Sequence, residues 1–320
     1  MPLNLDKPHL WKADIVESVD MYNNWFLLFA PKAFRETRIQ TTEDVISTLR
    51  STNNLTTLDV SILREHPEVL PTLRMSTCPP LAVDRLIGLA GVPNNLVKCM
   101  EKETKLPKAL KGAALEKELN KILAIISRMA DPDIYVWLDK KRPATDPEIH
   151  RAATIVADRL CGSYANPIIR NAQEKRQLAA IKTWLEARGY KQLKTSDNVR
   201  FDVMTPETFS FRTNVPVKLE SSAKGVNIPI DVVIMPKSAK KGDFPIFIEA
   251  KSAGDFANTN KRRKEEAAKM VQLLSTYGKK VQFILFLCGY FDSGYLGYEA
   301  SEGIDWVWEH RINDLAQLGI

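Results

Sequence analysis

Apolar residues recur at three- and four-residue steps through the first half of the chain, then in alternation or unbroken runs through most of the second. The first rhythm predicts helices and the second predicts strands. Ile15, Val19, Tyr22 and Phe26 make one helical stripe, widened by Trp25, Leu28 and Phe29. The aromatic cluster at 22–34 reads as core; Pro31 is expected to end that helix, and Thr41 to Asp44 to cap a second one over Val45 to Arg50. Between Ala82 and Lys98 two short helical patterns flank Gly91-Val-Pro-Asn, the layout of a helix-turn-helix or of a plain helical hairpin. Residues 101–142 continue helical, with Leu115, Leu119, Ile122 and Ile126 inward, Lys102, Lys105, Lys108 and Lys111 solvated, and a break at Asp131-Pro-Asp133.

Lys140 to Pro147 is polar and carries two prolines, which makes it the expected boundary between a mainly α-helical region, 1–145, and a second domain, 146–320. In the second domain one helix is expected from Pro147 to Cys161 and another from Asn166-Pro167 to Arg188, stopped by Gly189. Strands are expected at Tyr190 to Leu193, within Phe201 to Leu219, around Asp231, around Glu249 and at Val281 to Leu287. A helix from Glu265 to Tyr277, with Ala267, Met270, Val271 and Leu274 inward, lies between the last two strands. Gly289 to Tyr298 reads as a loop, and Trp306 to Leu318 as a terminal helix. The fold class is therefore α/β, a mixed sheet flanked by helices behind a mainly helical N-terminal region.

The candidate chemistry sits on neighbouring strands. Asn227 to Met235 and Phe244 to Lys251 are apolar runs joined by a turn-rich segment, as in a β-hairpin. Side chains alternate on a strand, so Phe247, Glu249 and Lys251 share one face, the last two roughly 7 Å apart. Pairing brings Asp231 beside Glu249. Acids closing an apolar strand need a partner, and a divalent cation with a lysine alongside is one. Glu174 falls at i of a stripe continued by Leu178, Ile181 and Leu185 at i+4, i+7 and i+11, an acid on a helix face that must meet the sheet. It is either a charge in the helix's first turns or a site residue.

Composition changes this picture little. The 320-residue chain has a net charge of +6, a moderate excess that suits a polyanion without requiring one. The cations are placed more tellingly: Lys261, Arg262, Arg263 and Lys264 open a helix whose N-terminal dipole favours anions, and a phosphate backbone would remove the conflict. Asn258 and Asn260 flank that run; Arg212, Asn94, Asn95 and Lys98 are further candidates for DNA contact. Cys78, Cys99, Cys161 and Cys288 have no metal-site spacing and read as reduced thiols of a cytoplasmic protein, while the histidines are scattered. No signal peptide or membrane span is expected.

Asp231, Glu249 and Lys251 make the Asp…Glu-x-Lys pattern, and the order of elements around them resembles the PD-(D/E)xK nuclease core. Longer passages are similar to the XamI-type restriction endonuclease family: Asp20-Met-Tyr-Asn-Asn-Trp-Phe, Met75-Ser-Thr-Cys-Pro-Pro-Leu-Ala-Val-Asp-Arg-Leu, Ile228-Pro-Ile-Asp-Val-Val-Ile, Ile248-Glu-Ala-Lys-Ser-Ala-Gly-Asp-Phe and Phe286-Leu-Cys-Gly-Tyr-Phe-Asp-Ser-Gly-Tyr-Leu-Gly-Tyr. The resemblance implies a type II enzyme that cuts double-stranded DNA at a short, palindromic site with Mg²⁺. It implies catalytic roles for Asp231, Glu249 and Lys251, with Glu174 less closely tied, and metal ligation by Asp231, Glu249 and the Ala250 carbonyl. A homodimer and a companion DNA methyltransferase follow from the same likeness. The sequence departs from the usual pattern in having Ile230, not proline, directly before Asp231. A repair or structure-specific nuclease of the same superfamily, and a non-catalytic helix-turn-helix protein, are the alternatives.

Overall fold

The computed structural model describes residues 2–320 apart from 194–199, 220–221, 241 and 258, and leaves aside the side chains of 219, 222–224 and 260–263. The chain divides into two compact units, residues 30–169 and residues 1–29 with 170–320. The boundary expected near 145 thus falls inside the first of these. The cuts lie within two long helices, α1 (Pro8–Ser51) and α8 (Asp146–Glu186), each close to an internal proline, Pro31 and Pro167.

Pro31 does not end its helix and Pro167 does not begin one, contrary to the expectation from sequence. Thr41 to Asp44 is helix interior and not a cap, and the two helices expected at 147–161 and 166–188 are one. A proline removes a backbone hydrogen bond and costs about 3 kcal/mol in a helix interior. Buried positions on both sides of each outweigh that: Tyr22, Ala30, Ala33 and Val45 on α1, and Leu160, Ala165, Gln173 and Gln177 on α8. The aromatic stripe of α1 is only partly core, since Phe26 and Leu28 are exposed, the latter by 80%.

The unit of residues 30–169 is helical. It contains α2 (Val60–Glu65), α3 (Leu70–Met75), α4 (Val83–Ala90), α5 (Asn94–Glu103), α6 (Gly112–Met129) and α7 (Val136–Asp139) around a core that includes Leu73, Leu86, Leu96, Leu119, Ile122, Ile126 and Trp137. The expected helical stretch at 101–142 is therefore broken, and Lys105, Lys108 and Lys111 lie exposed in its loop. α4 and α5 form the expected helix pair. Gly91 ends α4 at φ 59, where its amide caps the Ile87 carbonyl and where a side chain would be strained.

The other unit is built on a six-stranded sheet in the order β1 (Lys191–Gln192), β2 (Thr208–Leu219), β3 (Ser222–Met235), β4 (Ile246–Ala253), β5 (Gln282–Gly289), β6 (Asp305–Trp308). β2, β3 and β4 are antiparallel neighbours, while β1 to β2, β4 to β5 and β5 to β6 run parallel, so the sheet is mixed. The C-terminal part of α8 covers one face with Leu178, Ile181 and Leu185 against Val232, Ile234, Ile246 and Ile248. α9 (Thr259–Tyr277) and α10 (Ser293–Ser301) belong to the other, with Leu273, Tyr295 and Leu296 in one cluster with Val233, Phe247, Leu285 and Trp306.

Two terminal segments differ from expectation. The glycine- and tyrosine-rich stretch forms α10, because Asp292 caps it by accepting the Tyr295 amide at 2.7 Å. Trp306 and Trp308 belong to a strand, and only Glu309–Leu318 is helical, as 3₁₀ turns. Asp305 to Trp308 is buried on both faces, as a strand inside a covered sheet must be. Gly289, at the end of β5, is required by a close approach: a Cβ there would lie 2.1 Å from the Ala253 carbonyl oxygen.

Candidate active site

The hairpin forms with the expected register, Val232 opposite Ile248 and Ile234 opposite Ile246. The described ladder ends at Val232 and Ile248. Beyond it the Asp231 carboxylate, not a backbone carbonyl, accepts the Ala250 amide at 2.9 Å. Asp231, Val233, Phe247 and Glu249 fall on the face toward α9, whereas Ala250 packs with the residues facing α8. A cavity of about 290 Å³ opens there, lined by Asp231, Glu249, Ala250 and Lys251 from the sheet, by Glu174 and Gln177 from α8, and by Glu265 from α9, among others.

Several of the lining groups are held in place by polar contacts. Gln177 is buried and donates to the Lys251 and Phe286 carbonyls at 3.2 Å each, tying α8 to β4 and β5. Lys251 donates to Glu249 at 3.0 Å and pairs with the buried Glu266 at 3.5 Å. Tyr295 donates to the other oxygen of Glu266 at 2.9 Å. Glu174 pairs with Arg212 at 2.7 Å, and Arg212 sits opposite Asp231 on β2, between the Phe211–Val232 and Thr213–Ile230 pairs, with φ 51. That backbone geometry is uncommon for a non-glycine residue.

Two lysines and one carboxylate oxygen define the electrostatics. Lys269 of α9 also donates to Oε1 of Glu249, at 2.5 Å, while Oε2 is buried without a hydrogen-bond partner among the described residues. Burial first, and then the charge of Glu249, push the Asp231 carboxyl up to about 6. Burial works against the Lys251 ammonium, but Glu249 and Glu266 outweigh it and hold its pKa above the ordinary lysine value. Cys288, also buried, is pushed up to about 12 chiefly by desolvation, which leaves an inert thiol.

Lys269 and Glu266 were missed by sequence reasoning, and the signal was available. Glu266, Lys269, Leu273 and Tyr277 stand at i, i+3, i+7 and i+11 of α9, the same argument that singled out Glu174. The expected inward residues Val271 and Leu274 are instead exposed, by 59% and 36%. Among the DNA-contact candidates, Lys264, Arg212, Asn94, Asn95 and Lys98 are exposed. Asn258 lies outside the described residues, as do the side chains of Asn260, Lys261, Arg262 and Arg263.

The comparisons with known proteins point the same way as this geometry. The family model described as XamI restriction endonuclease matches residues 53–308. The chain belongs to the XamI restriction endonuclease family. It is also 51% identical, over 99% of both chains, to the type II restriction enzyme SalI of Streptomyces albus G. A solved structure, protein VC1899 from Vibrio cholerae, aligns with 82% of this chain and 57% of its own at 15% identity, with a TM-score of 0.28 that carries no argument. In a restriction endonuclease of this family, acids and a lysine meeting at a cavity on a strand end are suited to phosphodiester chemistry, which needs charge neutralised at the phosphate and a water activated beside it.

Proposed function

We propose that this restriction endonuclease hydrolyses the phosphodiester backbone of double-stranded DNA in the cavity between α8 and β4, with Asp231 and Glu249 holding Mg²⁺ and Lys251 serving the attacking water. The observation that carries the reading is the buried Oε2 of Glu249, which has no hydrogen-bond partner among the described residues, beside an Asp231 whose carboxylate is disfavoured by burial. A hard divalent cation fits two such oxygens. Among the described residues no cluster of three or more acidic, histidine or cysteine side chains is arranged to hold a metal. Mg²⁺ keeps several waters and takes one or two carboxylates, and Asp231 and Glu249 offer two. The Ala250 carbonyl is a further candidate ligand. Bound there, the ion would lower the pKa of water and neutralise charge building on the phosphate.

The chain's own residues do the positioning. Lys251, fixed by Glu249 and Glu266, presents an ammonium that orients the water and a phosphate oxygen. Glu174, which lines the cavity, acts here through Arg212, which its carboxylate holds on β2 opposite Asp231 so that it can meet a phosphate. Lys264 and the rest of the basic run at the head of α9 supply backbone contacts, which set register but not sequence. Asn94, Asn95 and Lys98 on α5 are the candidates for reading base edges, consistent with a recognition role for the helical region. A palindromic site would be met by a homodimer with one cavity per strand, and a companion DNA methyltransferase in the same cytoplasm would protect the host.

Incubation of the purified protein with plasmid DNA tests the reading. Discrete fragments are expected with Mg²⁺ and intact DNA without it. Cleavage that persists in chelator, or a smear of random lengths, would overturn it. Lys251→Ala is expected to abolish cutting while preserving specific binding.

A further inference from the structure

Glu249 is contacted by two ammonium groups at the same oxygen, an arrangement in which like charges crowd. Lys251 approaches at 3.0 Å and Lys269 at 2.5 Å. The two are not equivalent. Lys251 has a second acid, Glu266, at 3.5 Å. Among the described residues, the other hydrogen bond of Lys269 goes to a neutral group, the Pro229 carbonyl at 3.3 Å. Both side chains are largely buried, so each ammonium needs a counter-charge. If Glu249 and Asp231, whose charge also reaches Lys269, both turned toward a metal ion, Lys251 would keep Glu266 while Lys269 would have no other carboxylate among the described residues.

We infer that Lys269 competes with the metal at this site: its ammonium holds Oε1 of Glu249, a divalent cation held through Oε2 must share the charge of the same carboxylate, and this lysine therefore sets the affinity of the site for metal. The inference rests on the reading of Asp231 and Glu249 as the metal-holding pair. It also assigns a job to the inward lysine of α9, which stands one turn after Glu266 on a helix packed by Met270, Leu273 and Tyr277. The lysine keeps a buried carboxylate compensated when no metal is present. The open Oε2 can take the ion, whose charge then repels the ammonium left on Oε1 of the same carboxylate.

The test is Mn²⁺ titrated into the DNA-free protein, with free ion followed by paramagnetic resonance. Lys269→Met is expected to bind Mn²⁺ about tenfold tighter than the unaltered protein, within the usual range of coupling between two ligands of one site. Lys269→Arg, which keeps the charge, is expected to bind near the original affinity. Equal or weaker binding by a folded Lys269→Met protein, checked by circular dichroism, would overturn the inference while leaving the metal site standing. Should Lys269→Met fail to fold, Lys269→Gln replaces it, with tighter binding expected and equal or weaker binding again overturning the inference. No Mn²⁺ binding by the unaltered protein would overturn both this inference and the reading it rests on. Glu249→Gln distinguishes the site from others, since it should remove the tight binding in either background.

Discussion

Two buried ion pairs in this molecule have similar distances and opposite characters. In the helical unit Arg74 meets Glu101 through two parallel bonds of 2.8 and 2.9 Å, and a third nitrogen of Arg74 donates to the Leu81 carbonyl. Both side chains are nearly inaccessible, 4% and 6% exposed, and each oxygen of Glu101 has its donor. At the sheet, Glu249 is as deeply buried but has two lysines on one oxygen and, among the described residues, no partner on the other. A saturated pair can only hold structure together. An unsaturated one stores an electrostatic demand that a ligand can meet. Saturation, more than distance, separates the structural charge from the functional one.

The largest expected effect breaks the open site. Asp231→Asn should lower plasmid cleavage by about 10³-fold or more, the scale of losing one preorganised charged group. Its melting temperature in the metal-free state should be unchanged or higher at pH 7.5, since a buried, disfavoured carboxylate is gone. A melting temperature that fell sharply would make Asp231 a structural residue. The saturated pair should behave the other way. Glu101→Gln or Arg74→Met should destabilise the protein by about 3–5 kcal/mol in denaturant melts, and replacing both by Met and Leu should recover most of that.

Much of this site was legible in the sequence and some of it was not. Strand alternation was enough to place Asp231, Glu249 and Lys251 on one face, because the period of two leaves no choice once the strands are identified. Glu174 reached the cavity because an acid on an apolar stripe has to be accommodated. The same logic applied to Glu266 and Lys269, but the basic run just before them drew attention to the solvent side of α9, and Val271 and Leu274 suggested the wrong stripe. The two long helices were hidden for another reason. Pro31 reads locally as a helix stop and Asn166-Pro167 as a helix start, and only the packing of residues such as Ala33 and Ala165 shows that tertiary contacts outweigh both signals. Likewise Trp306 and Trp308 gave no clear strand signal until β5 offered them a parallel partner.

A smaller effect sharpens the comparison through pH. An acid whose folded pKa lies above its ordinary value binds its proton more tightly in the folded state, so its contribution to stability is full at low pH and lost as pH rises. For Asp231 the window runs from the ordinary 3.8 to about 6 in the folded, metal-free protein. Across that window the wild type should lose melting temperature relative to Asp231→Asn, with the gap widening as pH increases. Adding a divalent cation at pH 7 should close the gap by stabilising only the wild type. A gap independent of pH would mean that Asp231 is not the strained group of the site.

The smallest expected effect asks whether burial, and not geometry, makes the saturated pair valuable. Arg38 and Asp158 are 3.0 Å apart, as close as many of the buried contacts, but their side chains are 53% and 61% exposed. Water screens the attraction, and holding two long side chains in one arrangement opposes it. A double-mutant cycle with Arg38→Met and Asp158→Asn should therefore give a coupling of about 0.2–1 kcal/mol, falling as salt is raised. The same cycle at Arg74 and Glu101 should give several times more and respond weakly to salt, because the Debye atmosphere does not reach a pair that is 4% and 6% exposed. Equal couplings at the two sites would show that the contact distance alone sets the energy, and the contrast drawn between a closed ion pair and an open one would then lose its physical basis.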